Sequence, residues 1–251
     1  MATPTAADLS PVYISGPMFS IADKWQQRAI KHTLMNAGFS TYLPQHDGIE
    51  VGSLMASVNQ ANTSQVAPVI MFVRTIVFAM DMFQVLAGCK SLVLNMDGRV
   101  PDEGSVSETA AAFTAGQPIV IYKTTPISML GGEDNPMISG LSMNWLTVNN
   151  ENDLPAALLA AGLAVQNAGF KPFTPGGQVS AVVKLGATVW ENIGTIHGIL
   201  KSVNPQDPNS VMKAMEELLE LQGLWQPLIS AAFPDAPVLQ APLFPPGTNN
   251  R

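Results

Sequence analysis

Acidic side chains gather where a parallel sheet would place a ligand. Val12-Tyr13-Ile14-Ser15 is a β-rich run that breaks at Gly16-Pro17, and Phe39 to Leu43 is a second run followed by Pro44-Gln45-His46-Asp47-Gly48. Ser91 to Asn95 is a third, followed by a segment that carries Asp97, Asp102 and Glu108. Ligands of open parallel sheets sit beyond the carboxyl ends of the strands, so these segments belong to one search. They hold several acids and almost no cations. No GxGxxG or GxxxxGK[ST] appears, which makes a phosphate cradle a poor expectation. Carboxylate chemistry on a neutral, hydroxylated substrate fits better. No His, Cys or carboxylate spacing matches a metal site, and neither a metal nor an organic cofactor is expected.

Each residue also has a local reading. Ser105-x-x-Glu108 at a helix start is a capping box, and local pattern alone favours that over a catalytic glutamate. Asp97-Gly98 is an ordinary turn dipeptide. Asp81 ends an apolar run between Met80 and Met82-Phe83, where a carboxylate costs several kcal/mol unless it is partnered. Tyr13 in a strand reads first as packing.

The elements that must hold these residues alternate in type. Helical spacing runs from Ile21 to Ala37, stops at Gly38, and returns over Ser64 to Gly88 and Ser105 to Ala115. Pro118 to Tyr122 reads as a further strand, with another near Leu146 to Val148. Continuous apolar strands between helices predict a parallel sheet covered on both faces, an α/β fold of the flavodoxin-like, Rossmann-like kind. This organisation covers residues 1–150. Residues 151–251 read as a helical extension, with helices over Leu154 to Ala168, Val179 to Val203 and Ser210 to Leu224, and a proline-rich tail from Pro227.

Composition removes other classes. The 251 residues are 47% hydrophobic and 12% charged, with a net charge of −7, so global disorder is excluded and nucleic acid is not an expected partner. The single cysteine, Cys89, rules out an internal disulfide framework. The positive mean hydropathy predicts apolar surface buried between subunits as well as inside one. No basic segment followed by an apolar one opens the chain, and the apolar run Ala67 to Met80, broken by Arg74, reads as too short to span a membrane. The expectation is a soluble, cytoplasmic protein without a membrane partner.

Taken together, Val12-Tyr-Ile-Ser-Gly-Pro-Met-Phe19, Leu43-Pro-Gln-His-Asp-Gly48, Asp81, Asp97-Gly98 and Asp102-x-Gly-Ser-x-x-Glu108 resemble the nucleoside 2-deoxyribosyltransferase family. Ala115-Gly-Gln-Pro118 and Asn135-Pro-Met137 extend the resemblance, which covers about residues 11 to 150. It implies transfer of a 2-deoxyribosyl group between nucleobases through a covalent deoxyribosyl-glutamate, with 2'-deoxynucleosides and free nucleobases as partners. It implies Glu108 as nucleophile, Tyr13 as the group that orients it, and Asp102 and Asp81 on the nucleobase, Asp102 being the expected general acid. Gly16, Gln45, His46, Asp47 and Asp97 would line the substrate. Asn135 and Met137 would reach a neighbouring subunit's site, which makes a homo-oligomer with shared sites part of the expectation.

Two other functions fit the same residues. One is a nucleoside N-glycosidase with water as acceptor. The other is a non-catalytic nucleoside sensor in which Glu108 only caps a helix.

Overall fold

The computed structural model describes residues 3–49, 52–58, 64–97, 101–126, 134–142, 145–170 and 173–234. Gly98 and the tail beyond residue 234 therefore lie outside the described residues. In chain order the elements are β1 (Val12–Ser15), α1 (Ile21–Asn36), β2 (Thr41–Tyr42), α2 (Pro44–Asp47), α3 (Gly52–Val58), α4 (Val66–Phe83), β3 (Ser91–Asn95), α5 (Glu103–Thr114) and β4 (Ile119–Tyr122). They continue with α6 (Pro136–Ser139), β5 (Thr147–Val148), α7 (Leu154–Ala168), α8 (Gly177–Glu191), α9 (Ile193–Lys201) and α10 (Pro208–Ala232). The five strands form one parallel sheet in the order β2-β1-β3-β4-β5. That is the flavodoxin-like order, whose switch point lies between β1 and β3.

Side-chain alternation divides the sheet's two faces. Val12 and Ile14 on β1, with Val93 and Val120, pack into one cluster with Ile30 and Leu34 of α1 and Leu158 of α7. Tyr13 and Ser15 point the other way, toward α5. Helix α1 starts at Ser20, whose hydroxyl accepts from the Asp23 amide at 3.0 Å, while Asp23 returns a bond to the Ser20 amide at 2.8 Å. These reciprocal bonds satisfy two of the helix's free amides and fix where the chain leaves β1.

Gly16 sits where β1 ends, and packing explains it. A Cβ there would stand 2.0 Å from Gln27 Nε2 and 2.8 Å from Asn95 Cβ. Gly16→Ala is expected to cost about 1–3 kcal/mol through overpacking. Chemical denaturation would reveal this as a lowered midpoint, and an unchanged midpoint would contradict it.

Contacts divide the chain into two compact units, residues 1–48 with 81–175, and residues 49–80 with 176–251. This differs from a division at residue 150. Helix α7 covers the sheet within the first unit, and residues 49–80 cluster with the C-terminal helices. In that second unit Phe72 meets Trp225 with ring centroids 6.0 Å apart, and α10 packs chiefly on α8. The single helix expected over Val179 to Val203 is two, divided at Asn192. Pro227 lies inside α10 and does not start a tail; Trp225, Ile229 and Ala232 are buried on either side and hold the helix through the missing hydrogen bond.

Helix α4 corrects the length expected for its apolar run. It continues past Asp81 through a π turn at Gln84–Gly88, so Val66–Gly88 makes 23 helical residues, long and apolar enough to cross a membrane by length and composition. Its buried Val69, Phe72, Val73, Ile76, Ala79 and Met80 recur at helical spacing and form a core face.

Candidate active site

Glu108 is held at the carboxyl end of β1 by two residues of that strand. Tyr13 donates its phenol to Oε1 at 2.9 Å, and Ser15 donates its hydroxyl to Oε2 at 2.5 Å. Tyr13 and Ser15 share a face because they are two apart on a strand, and α5 lies over that face.

The helix itself is capped by another residue. Asp102 is the N-cap, its Oδ2 accepting from the Ser105 amide at 2.8 Å and the Ser105 hydroxyl at 2.6 Å. A capping box at Ser105 and Glu108 is therefore corrected: the helix begins earlier, and Glu108 is turned to the sheet. The cap engages Oδ2 of Asp102 alone, through two donors of Ser105.

Asp81 is a second carboxyl whose charge acts on Glu108's surroundings. Burial pushes its carboxyl up to about 8, the neighbouring Glu108 adds to the rise, and a hydrogen bond from Tyr42 partly counters it. Glu108 is also raised by burial, to about 6, with the bonds from Ser15 and Tyr13 opposing the rise and Asp102 adding to it. Between these values one carboxyl is ionised and the other protonated, the pairing that acid-assisted nucleophilic displacement requires. Burial, with Glu108 next, holds the Tyr13 phenol well above its ordinary value, so it remains a donor. Tyr13 and Tyr42 face one another across the β1–β2 register with ring centroids 5.4 Å apart. Tyr42 thereby links the support of Glu108 to Asp81.

Other expected binding residues serve the scaffold. Asp97 accepts from the Thr124 amide and hydroxyl, both at 2.6 Å, from the Thr125 amide at 2.9 Å and from Gln26 at 2.5 Å. Four donors engage the carboxylate and tie the end of β3 to the end of β4. Asp47 is likewise engaged, by Lys31 at 3.0 Å, by His46 Nδ1 at 2.7 Å and by the Leu43 amide at 2.8 Å. His46 is mostly exposed beside it. Gln45 donates to the Lys24 carbonyl at 3.3 Å, and its Oε1 is buried without a partner among the described residues. Asn135 caps α6 through its Oδ1, which accepts from the Met137 amide at 3.0 Å, and Met137 is 78% exposed. The structure brings neither into contact with Glu108.

Sequence reasoning gave Ser15 and Tyr42 no role. The signals were the two-residue step from Tyr13 to Ser15, and an aromatic residue in the second strand opposite the first. Lys31 is paired with Asp47, and Lys123 with Asp134. Among the described residues no group of three His, Cys, Asp or Glu is placed to hold a metal ion.

No family model matches the chain, and no curated protein does. Solved structures do. A conserved protein from Enterococcus faecalis V583 is 23% identical, with 59% of this chain and 95% of that one covered and a TM-score of 0.41. A 2-deoxyribosyltransferase from the psychrotolerant bacterium Bacillus psychrosaccharolyticus is 19% identical, with 65% and 98% covered and a TM-score of 0.42.

Proposed function

We propose that the chain transfers a 2-deoxyribosyl group between nucleobases, with Glu108 as the nucleophile. The observation that carries this reading is the pair of donors on Glu108: its two oxygens are fixed by Tyr13 and Ser15 while Asp102 does the capping. A carboxylate oriented in this way, and not needed by the helix, suits attack on an anomeric carbon, where it stabilises an oxocarbenium-like transition state and then traps the sugar as an ester. The choice of deoxyribose and nucleobase rests on the sequence resemblance.

In this reading a Glu108 oxygen bonds C1' as the C1'–N bond breaks, and the bond's electron pair leaves on the base nitrogen. Asp81 gives its proton to the base. Glu108 becomes a neutral ester and Asp81 a carboxylate, so charge balances. A second base then reverses the steps, returning its proton to Asp81. Asn135 and Met137 are proposed to act on a neighbouring subunit's site.

Tyr13→Phe removes one donor to the carboxylate. Hydrogen bonds to charged groups contribute about 1.5–3 kcal/mol, so turnover is expected to fall by about ten- to a hundredfold. Steady-state kinetics on a folded variant would check this, and an unchanged rate would deny Tyr13 its role.

The test of the function is chromatography after incubation with 2'-deoxyinosine, with and without adenine or cytosine. A new deoxynucleoside that forms only with an acceptor is the expected result. Hypoxanthine released equally without acceptor would make the protein a hydrolase. No product from a panel of donors would favour a nucleoside sensor.

A further inference from the structure

The Ser15 hydroxyl has one proton and two acceptors within reach. Glu108 Oε2 lies 2.5 Å away and the Ser105 carbonyl oxygen 3.3 Å away. That carbonyl also accepts the Thr109 hydroxyl at 2.7 Å, which makes it the weaker alternative while Glu108 is charged. Tyr13 differs, because among the described residues its phenol donates to Glu108 Oε1 and has no second acceptor. Both residues are buried, and a buried donor left without an acceptor is costly.

From this asymmetry we infer that Oε2 is the attacking oxygen of Glu108, and that Ser15 is a positioning residue which holds Oε2 before attack and turns its proton to the Ser105 carbonyl as the bond to C1' forms. The inference rests on the transferase reading and adds to it which oxygen reacts. The covalent balance is unchanged: Oε2 bonds C1', the base departs with the pair from C1'–N and the Asp81 proton, and the Ser15 proton stays on Ser15 Oγ throughout. Oε1 becomes the ester carbonyl and keeps its bond from Tyr13. If Oε1 attacked, Tyr13 would lose its acceptor as the negative charge on Oε1 disappeared. When a second base attacks C1', Ser15 turns back and stabilises the departing carboxylate, so the same hydroxyl serves both half-reactions.

The inference is tested on the full chain in two ways. The first is the structure of the wild-type protein trapped with a 2'-fluorinated arabinosyl nucleoside. The expected result is an ester at Oε2, Ser15 Oγ within 3.0 Å of the Ser105 carbonyl, and Tyr13 still on Oε1. An ester at Oε1 with Ser15 still on Oε2 overturns the inference and leaves the transferase reading intact. The second is titration of Glu108 by carbon-13 NMR in wild type and Ser15→Ala, which does not depend on turnover. Loss of the donor is expected to move the midpoint upward from about 6. The accompanying rate loss on the acid side is about tenfold for each unit of displacement. An unmoved midpoint in a folded variant overturns the inference alone. A wild-type protein that exchanges no base and forms no adduct overturns the transferase reading and this inference with it.

Discussion

Glu108→Gln is expected to lower base exchange at least ~10³-fold while leaving the chain folded. Glutamine keeps the shape of the side chain, and its carbonyl oxygen can still accept a bond from Ser15 or Tyr13. It cannot form a glycosyl ester that a second base displaces. The stability expectation separates this from a structural role. Glu108 titrates near 6, above the ordinary value for a glutamate. A raised carboxyl contributes its stability below the ordinary value and loses it as pH rises toward 6, so at pH 8 the wild type carries a buried charge that the variant lacks. Thermal melts at pH 8 should therefore place Glu108→Gln at or above wild type. A capping glutamate would instead lose about 1 kcal/mol on replacement. A variant that melts early yet still exchanges bases would overturn the nucleophile assignment.

The second large effect is that of Asp81. With Glu108 near 6 and Asp81 near 8, the reactive form, ionised at Glu108 and protonated at Asp81, is most populated between those values. The rate should rise as pH passes about 6 and fall as it passes about 8, the two limbs belonging to the coupled pair. Asp81→Asn removes the proton source and is expected to cost about 10²- to 10⁴-fold. Its alkaline limb should vanish, because that limb reports the loss of the Asp81 proton. The same change should stabilise the fold above pH 8, where wild type buries an ionised Asp81. Asp102→Asn serves as the contrast. Asparagine also caps helices well, so its effect should be much smaller than that of Asp81→Asn if Asp81 is the acid. Equal losses at both positions, with the alkaline limb retained in Asp81→Asn, would return the acid role to Asp102.

Much of the sheet was legible in sequence because parallel strands buried on both faces are written as apolar runs. Ser91–Asn95 and Ile119–Tyr122 are such runs, and both are strands. β2 was readable as a strand but not in extent, since only Thr41 and Tyr42 pair. The misread cap at Ser105 arose from two equivalent signals three residues apart. Asp102 and Ser105 are both good N-caps, and only the fold shows that the helix starts at Glu103, which frees Glu108. The role proposed for Asp81 was hidden for a different reason. The value of Asp81 depends on burial and on Tyr42 and Glu108, which are distant in sequence. The tie that Asp97 makes between strand ends was not legible, because its partners Thr124, Thr125 and Gln26 are remote in the chain. The association of residues 49–80 with the C-terminal helices is equally non-local.

The claim that Glu108 becomes covalently attached to the sugar is tested most directly by intact-protein mass spectrometry followed by peptide mapping. A 2'-fluorinated arabinosyl nucleoside is the probe, because its electron-withdrawing fluorine slows departure of the sugar from an ester. The predicted result is a mass gain of one fluoropentosyl group, located on Glu108, absent from Glu108→Gln and removed by added nucleobase. Consumption of the nucleoside with no mass gain on the protein, or a gain located on another residue, would contradict it.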